Sequence, residues 1–303
     1  MNTSLSTVRL GNGPGIARMG FGTMRLTGPK AWGPPADPAQ ARAVLRRAVD
    51  LGVELVDTAG YYGPGVTNAL LREALAPYPL QLCISTKVGV KRGADQSWQP
   101  HTRPEDIRAD VDANLAQLGV EQLHLVHLRL GDGRMLAFSD VPLAESMGAL
   151  ANLKAEGKIG HIGLSSVTVA QIQAAQDVAP IAAVQNMYNV GNVASQQVLD
   201  FCTAQGLAFL PYFPLAMGSL AQADGPLHAV AARHGVSTAQ IALAWLLAVS
   251  PQTIVIPGTS SVAHLEENHA ARTVRLNQDD VATIRAATQQ ASAQTGLAGA
   301  ARH

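Results

Sequence analysis

Apolar and polar positions follow two alternating patterns along the chain. Short, continuously apolar runs of strand length are each followed by a longer segment whose apolar residues recur every three to four positions. Continuously apolar strands are typical of a parallel sheet that is covered on both faces. The apolar runs therefore predict eight inner strands, at residues 19–24, 55–58, 82–87, 123–129, 159–165, 182–189, 207–212 and 253–256.

The segments between and beyond these runs predict the other elements. Residues 8–10 and 15–17 flank Gly11-Asn12-Gly13 and predict an N-terminal hairpin. A polar stretch at 89–102 predicts a long loop, and 279–289 predicts an extra helix before a Gly/Ala-rich tail. Connecting helices are predicted at 37–51, 67–75, 104–118, 143–156, 169–176, 195–205, 227–234, 238–247 and 262–271.

Eight strand–helix units without a Pro/Gly-rich linker predict a single α/β domain over residues 1–303. The expected fold is a (β/α)8 TIM barrel with an N-terminal β-hairpin and a C-terminal extra helix. An open doubly wound sheet is less favoured, because no Gly-x-Gly-x-x-Gly follows the first strand. Barrel enzymes carry their sites at the C-terminal strand ends. Polar or turn residues stand at those ends here: Asp57, Lys87, Arg129, Ser165, Asn189, Tyr212 and Pro257.

Composition narrows the class of protein. The formal net charge is zero, which gives no electrostatic reason to expect nucleic acid or an anionic membrane as a partner. The N-terminus lacks the apolar region of a signal peptide, and no apolar run is long enough to span a bilayer, so a cytoplasmic protein is expected. Cys83 and Cys202 are far apart and lack metal-ligand spacing, so both are predicted to be core residues and no metal site is expected.

Three residues at two neighbouring strand ends suggest a proton-donor site. Asp57 ends one predicted strand, Tyr62 follows in its turn, and Lys87 ends the next strand. A free tyrosine has a pKa of about 10 and is a poor proton donor at neutral pH. An ammonium about 4 Å away would stabilise tyrosinate by about 4 kcal/mol at an effective dielectric of about 20, bringing the pKa to about 7. Asp57 would partly offset this effect while holding Lys87 in place.

Five motifs occur together in an order that resembles the aldo-keto reductase family. The resemblance extends from about residue 10 to residue 271. A closer similarity, to the bacterial pyridoxal-reductase-like branch, is carried by Gly28-Pro-Lys-Ala-Trp-Gly-Pro-Pro35, Gly63-Pro-Gly-Val-Thr-Asn68 and Pro257-Gly-Thr-Ser-Ser-Val-Ala-His-Leu-Glu-Glu-Asn268. The five family motifs are Asp57-Thr-Ala-x-x-Tyr62-Gly63, Ser85-Thr-Lys87, Gly163-Leu-Ser-Ser166, Val184-Gln-Asn186 and Ile256-Pro-Gly258.

The resemblance implies an enzyme that transfers hydride from NADPH to an aldehyde or ketone, with Tyr62 as proton donor and Asp57 and Lys87 beside it. Ser165, Ser166 and Gln185 match positions that bind the nicotinamide carboxamide, and Tyr212 matches the aromatic residue that stacks on its ring. Asp57, Gly22, Thr23 and Met24 match positions around the nicotinamide ribose. The pyrophosphate would be covered by Phe213, Pro214, Leu215, Met217, Gly218, Ser219 and Leu220.

The adenosine end of the cofactor is expected beside a later segment. Backbone N–H groups and hydroxyls at the start of the predicted helix 262–271 suit a phosphate. By resemblance the segment comprises Ile256, Pro257, Gly258, Thr259 and Ser260, followed by His264, Glu267 and Asn268. His264 stands where many members carry Arg, and NADP is still expected over NAD.

The fourth predicted strand departs from the family pattern. The position that is usually His is Arg129, and His127 lies on the same strand face one layer deeper. About 3.3 Å of rise per residue puts His127 about 6 to 7 Å below the rim, too deep to share an oxygen with Tyr62. We therefore expect Arg129 to complete the site and His127 to be a core residue. In the alternative, Arg129 only pairs with Asp132 in the following loop.

The substrate is expected to be a small carbonyl compound, pyridoxal being one candidate. Trp32 could stack on a flat pyridine ring, with Tyr62 and Arg129 at the reacting group. Two other functions are compatible with the residues: a Schiff-base aldolase that uses Lys87, and a nicotinamide-sensing binding subunit on the same scaffold. The chain is expected to be a monomer or a weak homo-oligomer.

Overall fold

The chain folds as an α/β barrel whose strands are mostly short. The computed structural model describes residues 7–216, 226–286 and 288. Within these residues the strands are β1 (Thr7–Arg9), β2 (Gly15–Ala17), β3 (Phe21–Gly22), β4 (Leu55–Asp57), β5 (Cys83–Val88), β6 (Val90–Arg92), β7 (Trp98–Pro100), β8 (Leu123–Arg129), β9 (Ile159–Ser165), β10 (Ile181–Gln185) and β11 (Ala208–Phe209).

Seven of these strands form one parallel sheet in the order β11-β10-β9-β8-β5-β4-β3. The segment 253–257 joins the two edges. Thr253 bridges Phe209 of β11, and Val255 bridges Met19 just before β3. Backbone hydrogen bonds from Ile254 N to Phe209 O (2.9 Å) and from Gly20 N to Val255 O (2.8 Å) complete the closure. The eighth predicted strand is thus present, but it pairs with its two neighbours through isolated β-bridges. We call residues 253–257 the barrel seam.

Helices cover the outside of the sheet between successive strands. Many begin with the residues that satisfy free N–H groups at a helix start. Ser237 and Gln240 form a capping box, and so do Thr168 and Gln171. A further helix occupies 278–286. The others are α1 (Pro38–Asp50), α2 (Val66–Leu75), α3 (Pro104–Leu118), α4 (Leu143–Ala155), α5 (Val169–Gln176), α6 (Gln196–Gln205), α7 (Pro226–His234), α8 (Thr238–Val249) and α9 (Val262–Ala270).

The predicted N-terminal hairpin is confirmed and lies against the interior of the barrel. β1 and β2 pair antiparallel, with Val8 opposite Ile16. Their apolar side chains form one buried cluster with inward-facing barrel residues, among them Leu55 and Leu125. Cys83 belongs to this cluster and Cys202 to the larger core between sheet and helices, so both cysteines are core residues as expected. The N-terminal end of the barrel is therefore apolar.

Some element boundaries differ from the sequence prediction. The stretch 89–102 is not simply a loop, because β6 and β7 pair within it as an antiparallel hairpin. Predicted strands 182–189 and 207–212 end early, and single bridges such as Met187 to Tyr212 continue them. The predicted helix 279–289 begins at residue 278, and its last residue lies outside the described residues. None of the helices in the described part of the chain is long and apolar enough to cross a membrane.

The barrel seam gives a first testable prediction. A Cβ atom added at Gly22 would lie 2.7 Å from the carbonyl oxygen of Ile256, whereas one at Gly148, inside α4, would meet nothing within 4 Å. We expect Gly22→Ala to lower the free energy of unfolding by about 1–3 kcal/mol through overpacking, and Gly148→Ala to raise it by up to about 1 kcal/mol through helix propensity. Urea unfolding measures both, and equal effects would contradict the close approach at the seam.

Candidate active site

Five parallel strands bring polar side chains together inside the C-terminal end of the barrel. Alternate residues of a barrel strand face inward, and in β8 the outward Val126 and Leu128 pack into the outer core. Strand register then sets the neighbours: Arg129 is opposite Ser165, and Ser165 is opposite Gln185. Asp57, Lys87, Arg129, Ser165 and Gln185 are all buried. The predicted clustering of these strand ends is observed.

A buried ion pair lies at the centre of this cluster. Lys87 Nζ is 2.6 Å from Asp57 Oδ2, and the two side chains are 1% and 5% exposed. Lys87 also donates to the carbonyl oxygen of Thr58 (2.9 Å), while Asp57 Oδ1 accepts from Ser85 Oγ (3.1 Å) and Gln185 Nε2 (2.9 Å). A buried charge pair is tolerated when such additional hydrogen bonds satisfy both partners.

This arrangement disfavours an aldolase. A lysine that attacks a carbonyl must be free to act as a nucleophile. Lys87 instead donates two short hydrogen bonds, to Asp57 and Thr58, and is almost completely buried.

Tyr62 lies beside the ion pair, on the turn that follows β4. Its backbone N–H bonds to Ala59 O, and Lys87 Nζ is 5.0 Å from the centre of its ring. Burial raises the pKa of Tyr62, Asp57 raises it further, and Arg129 opposes both. The expected pKa near neutrality is therefore wrong for this structure: Lys87 is paired with Asp57, and desolvation dominates. The phenol stays protonated at neutral pH, the form that donates a proton.

Arg129 and His127 occupy two successive inward layers of β8. Burial lowers the pKa of His127 to about 4, so the imidazole is neutral, and its Nδ1 lies 3.2 Å from Ser85 Oγ. Arg129 lies above it, with its guanidinium carbon 5.2 Å from the centre of the Tyr212 ring and its Nη2 3.6 Å from Asp132 Oδ2. The contact with Asp132 expected in the alternative is therefore present, and Arg129 also faces the ring of Tyr212.

Two further groups of predicted residues line the same end. Ser166 adopts a left-handed backbone (φ +59°), and its hydroxyl lies 3.2 Å from that of Tyr212. The hydroxyl oxygens of Thr23 and Ser165 are buried and lack a hydrogen-bond partner among the described residues. Met24 packs against the cluster that contains Tyr62. Thr23 and Ser165 thus leave two unsatisfied polar atoms at this end of the barrel, counted among the described residues.

The segment after the seam forms a second part of the site. Gly258 lies against Gly22, since a Cβ atom added at Gly258 would be 2.7 Å from Gly22 O. Ser261 caps α9 by accepting from His264 N (3.4 Å), and its own N–H bonds to Thr259 Oγ1 (3.1 Å).

The remaining predicted cofactor residues show three kinds of environment. Ile256, Pro257 and Asn268 are buried, Glu267 is half-buried, and Ser260 and His264 are exposed. Phe213 has a left-handed backbone (φ +54°) and its carbonyl accepts from Asn189, Pro214 is buried, and Leu215 packs on the core. Met217, Gly218, Ser219 and Leu220 lie outside the described residues.

Comparison with known proteins identifies the family. The profile of the aldo/keto reductase family matches residues 18–289. The chain belongs to this family. It is 43% identical over 283 residues to pyridoxine 4-dehydrogenase of Escherichia coli strain K12, covering 93% of this chain and 98% of that protein. It is 41% identical over 269 residues to an uncharacterised oxidoreductase of Schizosaccharomyces pombe, covering 89% and 86%.

Solved structures agree with this assignment. A thermostable aldo-keto reductase in complex with the inhibitor epalrestat has a TM-score of 0.81 at 27% identity, covering 93% of this chain and 99% of that one. An aldo/keto reductase of Klebsiella pneumoniae in complex with NADP and acetate has a TM-score of 0.77 at 25% identity, covering 92% and 94%. The (β/α)8 barrel is thereby confirmed, and the protein is an oxidoreductase that acts on carbonyl or CH–OH groups.

Sequence reasoning missed several residues that lie near the predicted site of this aldo/keto reductase. Trp98 and Arg92 come from the β6–β7 hairpin, which was predicted as a polar loop, and Tyr61 packs edge-on against both Tyr62 (5.3 Å) and Trp98 (5.4 Å). Arg25 lies beside Gly258. The signal available in the sequence was indirect: Trp98 follows Arg92 in the same polar stretch, and Arg25 comes directly after Thr23 and Met24.

The buried ion pair predicts a large stability effect. Asp57→Asn and Lys87→Met should each lower the free energy of unfolding by about 3–5 kcal/mol, because each leaves one buried charge unpaired. The double variant should lose less than the sum. Lys158 and Asp112 provide a matched control with the same 2.6 Å separation at an exposed site, where each single change should cost less than about 1 kcal/mol. Additive losses at Asp57 and Lys87 in urea unfolding would contradict their coupling.

Proposed function

We propose that this aldo/keto reductase reduces the aldehyde of a flat aromatic compound with NADPH, with pyridoxal as substrate and Tyr62 as proton donor. The observation that carries the proposal is the buried Asp57–Lys87 pair with the protonated phenol of Tyr62 beside it. NADPH, when bound, supplies the hydride.

Tyr62 holds the proton that the carbonyl oxygen receives. The raised pKa of Tyr62 keeps this proton in place until the oxygen becomes basic. Arg129, the cation that opposes the rise in the pKa of Tyr62, then offsets the negative charge left on the phenolate. The Asp57–Lys87 pair lies beside the ring, with Lys87 Nζ 5.0 Å from its centre. This use of charge is electrostatic stabilisation of the transition state by groups oriented in advance.

Arg129 donates hydrogen bonds at the same oxygen. A guanidinium stays protonated and therefore cannot act as a base, but it stabilises developing negative charge. Its Nε is buried without a hydrogen-bond partner among the described residues, which supports a role toward a bound ligand. His127 hydrogen-bonds with Ser85, one layer deeper.

The residues present fit a nicotinamide dinucleotide. The unsatisfied hydroxyls of Thr23 and Ser165 suit the ribose and carboxamide of such a cofactor. Gln185, Ser166 and the ring of Tyr212 complete the nicotinamide end. The Klebsiella pneumoniae relative that contains NADP supports the same cofactor here.

A 2′-phosphate, which distinguishes NADP from NAD, is favoured by the charges near α9. Thr259, Ser260 and the helix start offer hydroxyls and N–H groups to an anion. The first acidic residue of the segment, Glu266, is paired with Arg47 at 2.7 Å. Arg25, beside Gly258, adds a positive charge to this side of the site.

Pyridoxal is the substrate we favour. Dehydrogenation of pyridoxine, run in reverse, is reduction of this aldehyde, and the similar Escherichia coli protein is a pyridoxine 4-dehydrogenase. Trp32, Trp98 and Tyr61 provide flat apolar surface near Tyr62, and aromatic rings pack well against such surface.

The first test is a steady-state assay. We expect a higher kcat/KM with pyridoxal than with butanal, and tighter binding of NADPH than of NADH at moderate salt. NADPH absorbance measures turnover, and fluorescence quenching measures binding. A higher kcat/KM with butanal would contradict pyridoxal as the substrate but would still support reductase activity. Tight NADPH binding without turnover would instead favour a nicotinamide-sensing subunit.

A second test separates Arg129 from His127. Arg129→Ala should lower kcat by about 100-fold, as expected when one oxyanion donor is removed, whereas His127→Gln should cost much less. The pH profile of kcat/KM should lack a limb near about 6.5, because burial lowers the pKa of His127 to about 4. The reduction rate should also persist up to the ordinary tyrosine pKa of about 10, since the pKa of Tyr62 is raised. The opposite ranking of the two variants, with native circular dichroism, would assign the role to His127.

A further inference from the structure

One arginine outside the proposed catalytic residues joins two loops at the mouth of the barrel. Arg92 Nη1 donates to the carbonyl oxygen of Ala31 (2.9 Å), and Nη2 donates to those of Lys30 (3.2 Å) and Gln96 (2.9 Å). Its guanidinium carbon lies 5.2 Å from the ring centre of Trp32 and 4.3 Å from that of Trp98. We call this set of contacts the Arg92 clasp.

The clasp holds backbone that is strained. Lys30 and Ala31 both adopt left-handed conformations, with φ of +58° and +53°, although neither residue is glycine. Each such residue costs about 1–3 kcal/mol and persists only where the surroundings impose it. Arg92 donates hydrogen bonds to the carbonyl oxygens of both residues. The conformation of the loop that carries Trp32 therefore depends on the β6–β7 hairpin.

The clasp also connects to the turn of the proposed proton donor. Ala31 O accepts a second hydrogen bond, from the N–H of Gly63, the residue after Tyr62. On the other side, Trp98 packs edge-on against Tyr61, which packs edge-on against Tyr62. The clasp thus reaches the residues on either side of Tyr62, and none of the contacts that define it is with Tyr62 itself.

We propose that Arg92 is a specificity-determining positioning residue, which holds Trp32 and Trp98 as two walls for the flat ring of the substrate. This inference rests on the proposed reduction of aromatic aldehydes. Uniform binding of the ring, equal in the ground and transition states, affects KM and leaves kcat unchanged. A small aliphatic aldehyde lacks the ring, so its reduction is insensitive to the clasp.

An arginine is needed for this role. Its planar guanidinium presents several N–H donors at fixed angles and also stacks on aromatic faces, whereas a lysine offers a single ammonium on a flexible chain. Arg92→Lys therefore keeps the charge and loses the simultaneous contacts with both loops. Lys91→Ala is a matched control, because Lys91 is exposed on the same strand and its removal also deletes one positive charge.

The experiment compares pyridine-4-carboxaldehyde with butanal in the full chain. Arg92→Ala should raise KM for the aromatic aldehyde about tenfold, equivalent to about 1.4 kcal/mol, with little change in kcat, in KM for butanal or in the affinity for NADPH. Arg92→Lys should fall between wild type and Arg92→Ala, and Lys91→Ala should match wild type. Equal losses for the two aldehydes, or a fall in kcat alone, would overturn the proposal.

Tryptophan fluorescence provides a readout that does not need turnover. Of the three tryptophans, Trp245 is 3% exposed and stacked on Tyr188, so quenching by acrylamide reports mainly on Trp32 and Trp98. Arg92→Ala should increase the quenching constant, and Lys91→Ala should leave it unchanged. Unchanged quenching in Arg92→Ala would refute the clasp itself. If Arg92→Ala does not fold, the same comparisons with Arg92→Lys decide the question.

The two assays separate this inference from the proposed function. If the wild-type enzyme reduces no aromatic aldehyde, the proposed function fails while the quenching result still tests the clasp. If the wild-type enzyme is active and Arg92→Ala changes KM equally for the two aldehydes, the specificity role of Arg92 is contradicted. The proposed reductase activity is then still supported.

Discussion

The structure of the site depends on one buried charge pair. Asp57 and Lys87 come from adjacent strands, and desolvating either charge alone would cost several kcal/mol. Their pairing at 2.6 Å makes the burial tolerable. Ser85 and Gln185 then bind the remaining carboxylate oxygen, so that the ends of three strands are joined through Asp57. Any change that separates these strands therefore exposes or isolates a charge.

The same pair explains why a charge argument made from sequence alone failed for Tyr62. Placing an ammonium near a phenol predicts a lowered pKa, provided that the ammonium acts as a free charge in a solvated site. In the folded chain the phenol is buried and Lys87 is held in an ion pair with Asp57, so the pKa of Tyr62 rises. The predicted strand ends indicated that Asp57, Tyr62 and Lys87 lie close together. They did not indicate how far the Tyr62 phenol is desolvated, because that depends on packing by residues distant in sequence.

Regular features of the fold were predictable, and irregular ones were not. The apolar runs gave the inner strands, and the parity of β8 correctly put His127 one layer below Arg129. The β6–β7 hairpin was missed because the stretch that contains it is mostly polar and, among the described strands, β6 and β7 pair only with each other. The paired left-handed residues Lys30 and Ala31 carry no local signal, since their conformation is imposed by Arg92 from 61 or 62 positions away. The ordered set of short motifs identified the family before any geometry was known.

The N-terminal hairpin affects the route by which reactants enter and leave the barrel. Because Val8, Leu10 and Ile16 are buried against the apolar end of the barrel, the hairpin covers that end, and the Asp57–Lys87 pair lies toward the opposite one. In the proposed reaction, a hydride donor and a carbonyl compound that meet beside Tyr62 would both reach it from that opposite end. The reactant that binds deeper would then have to enter before the other and leave after it.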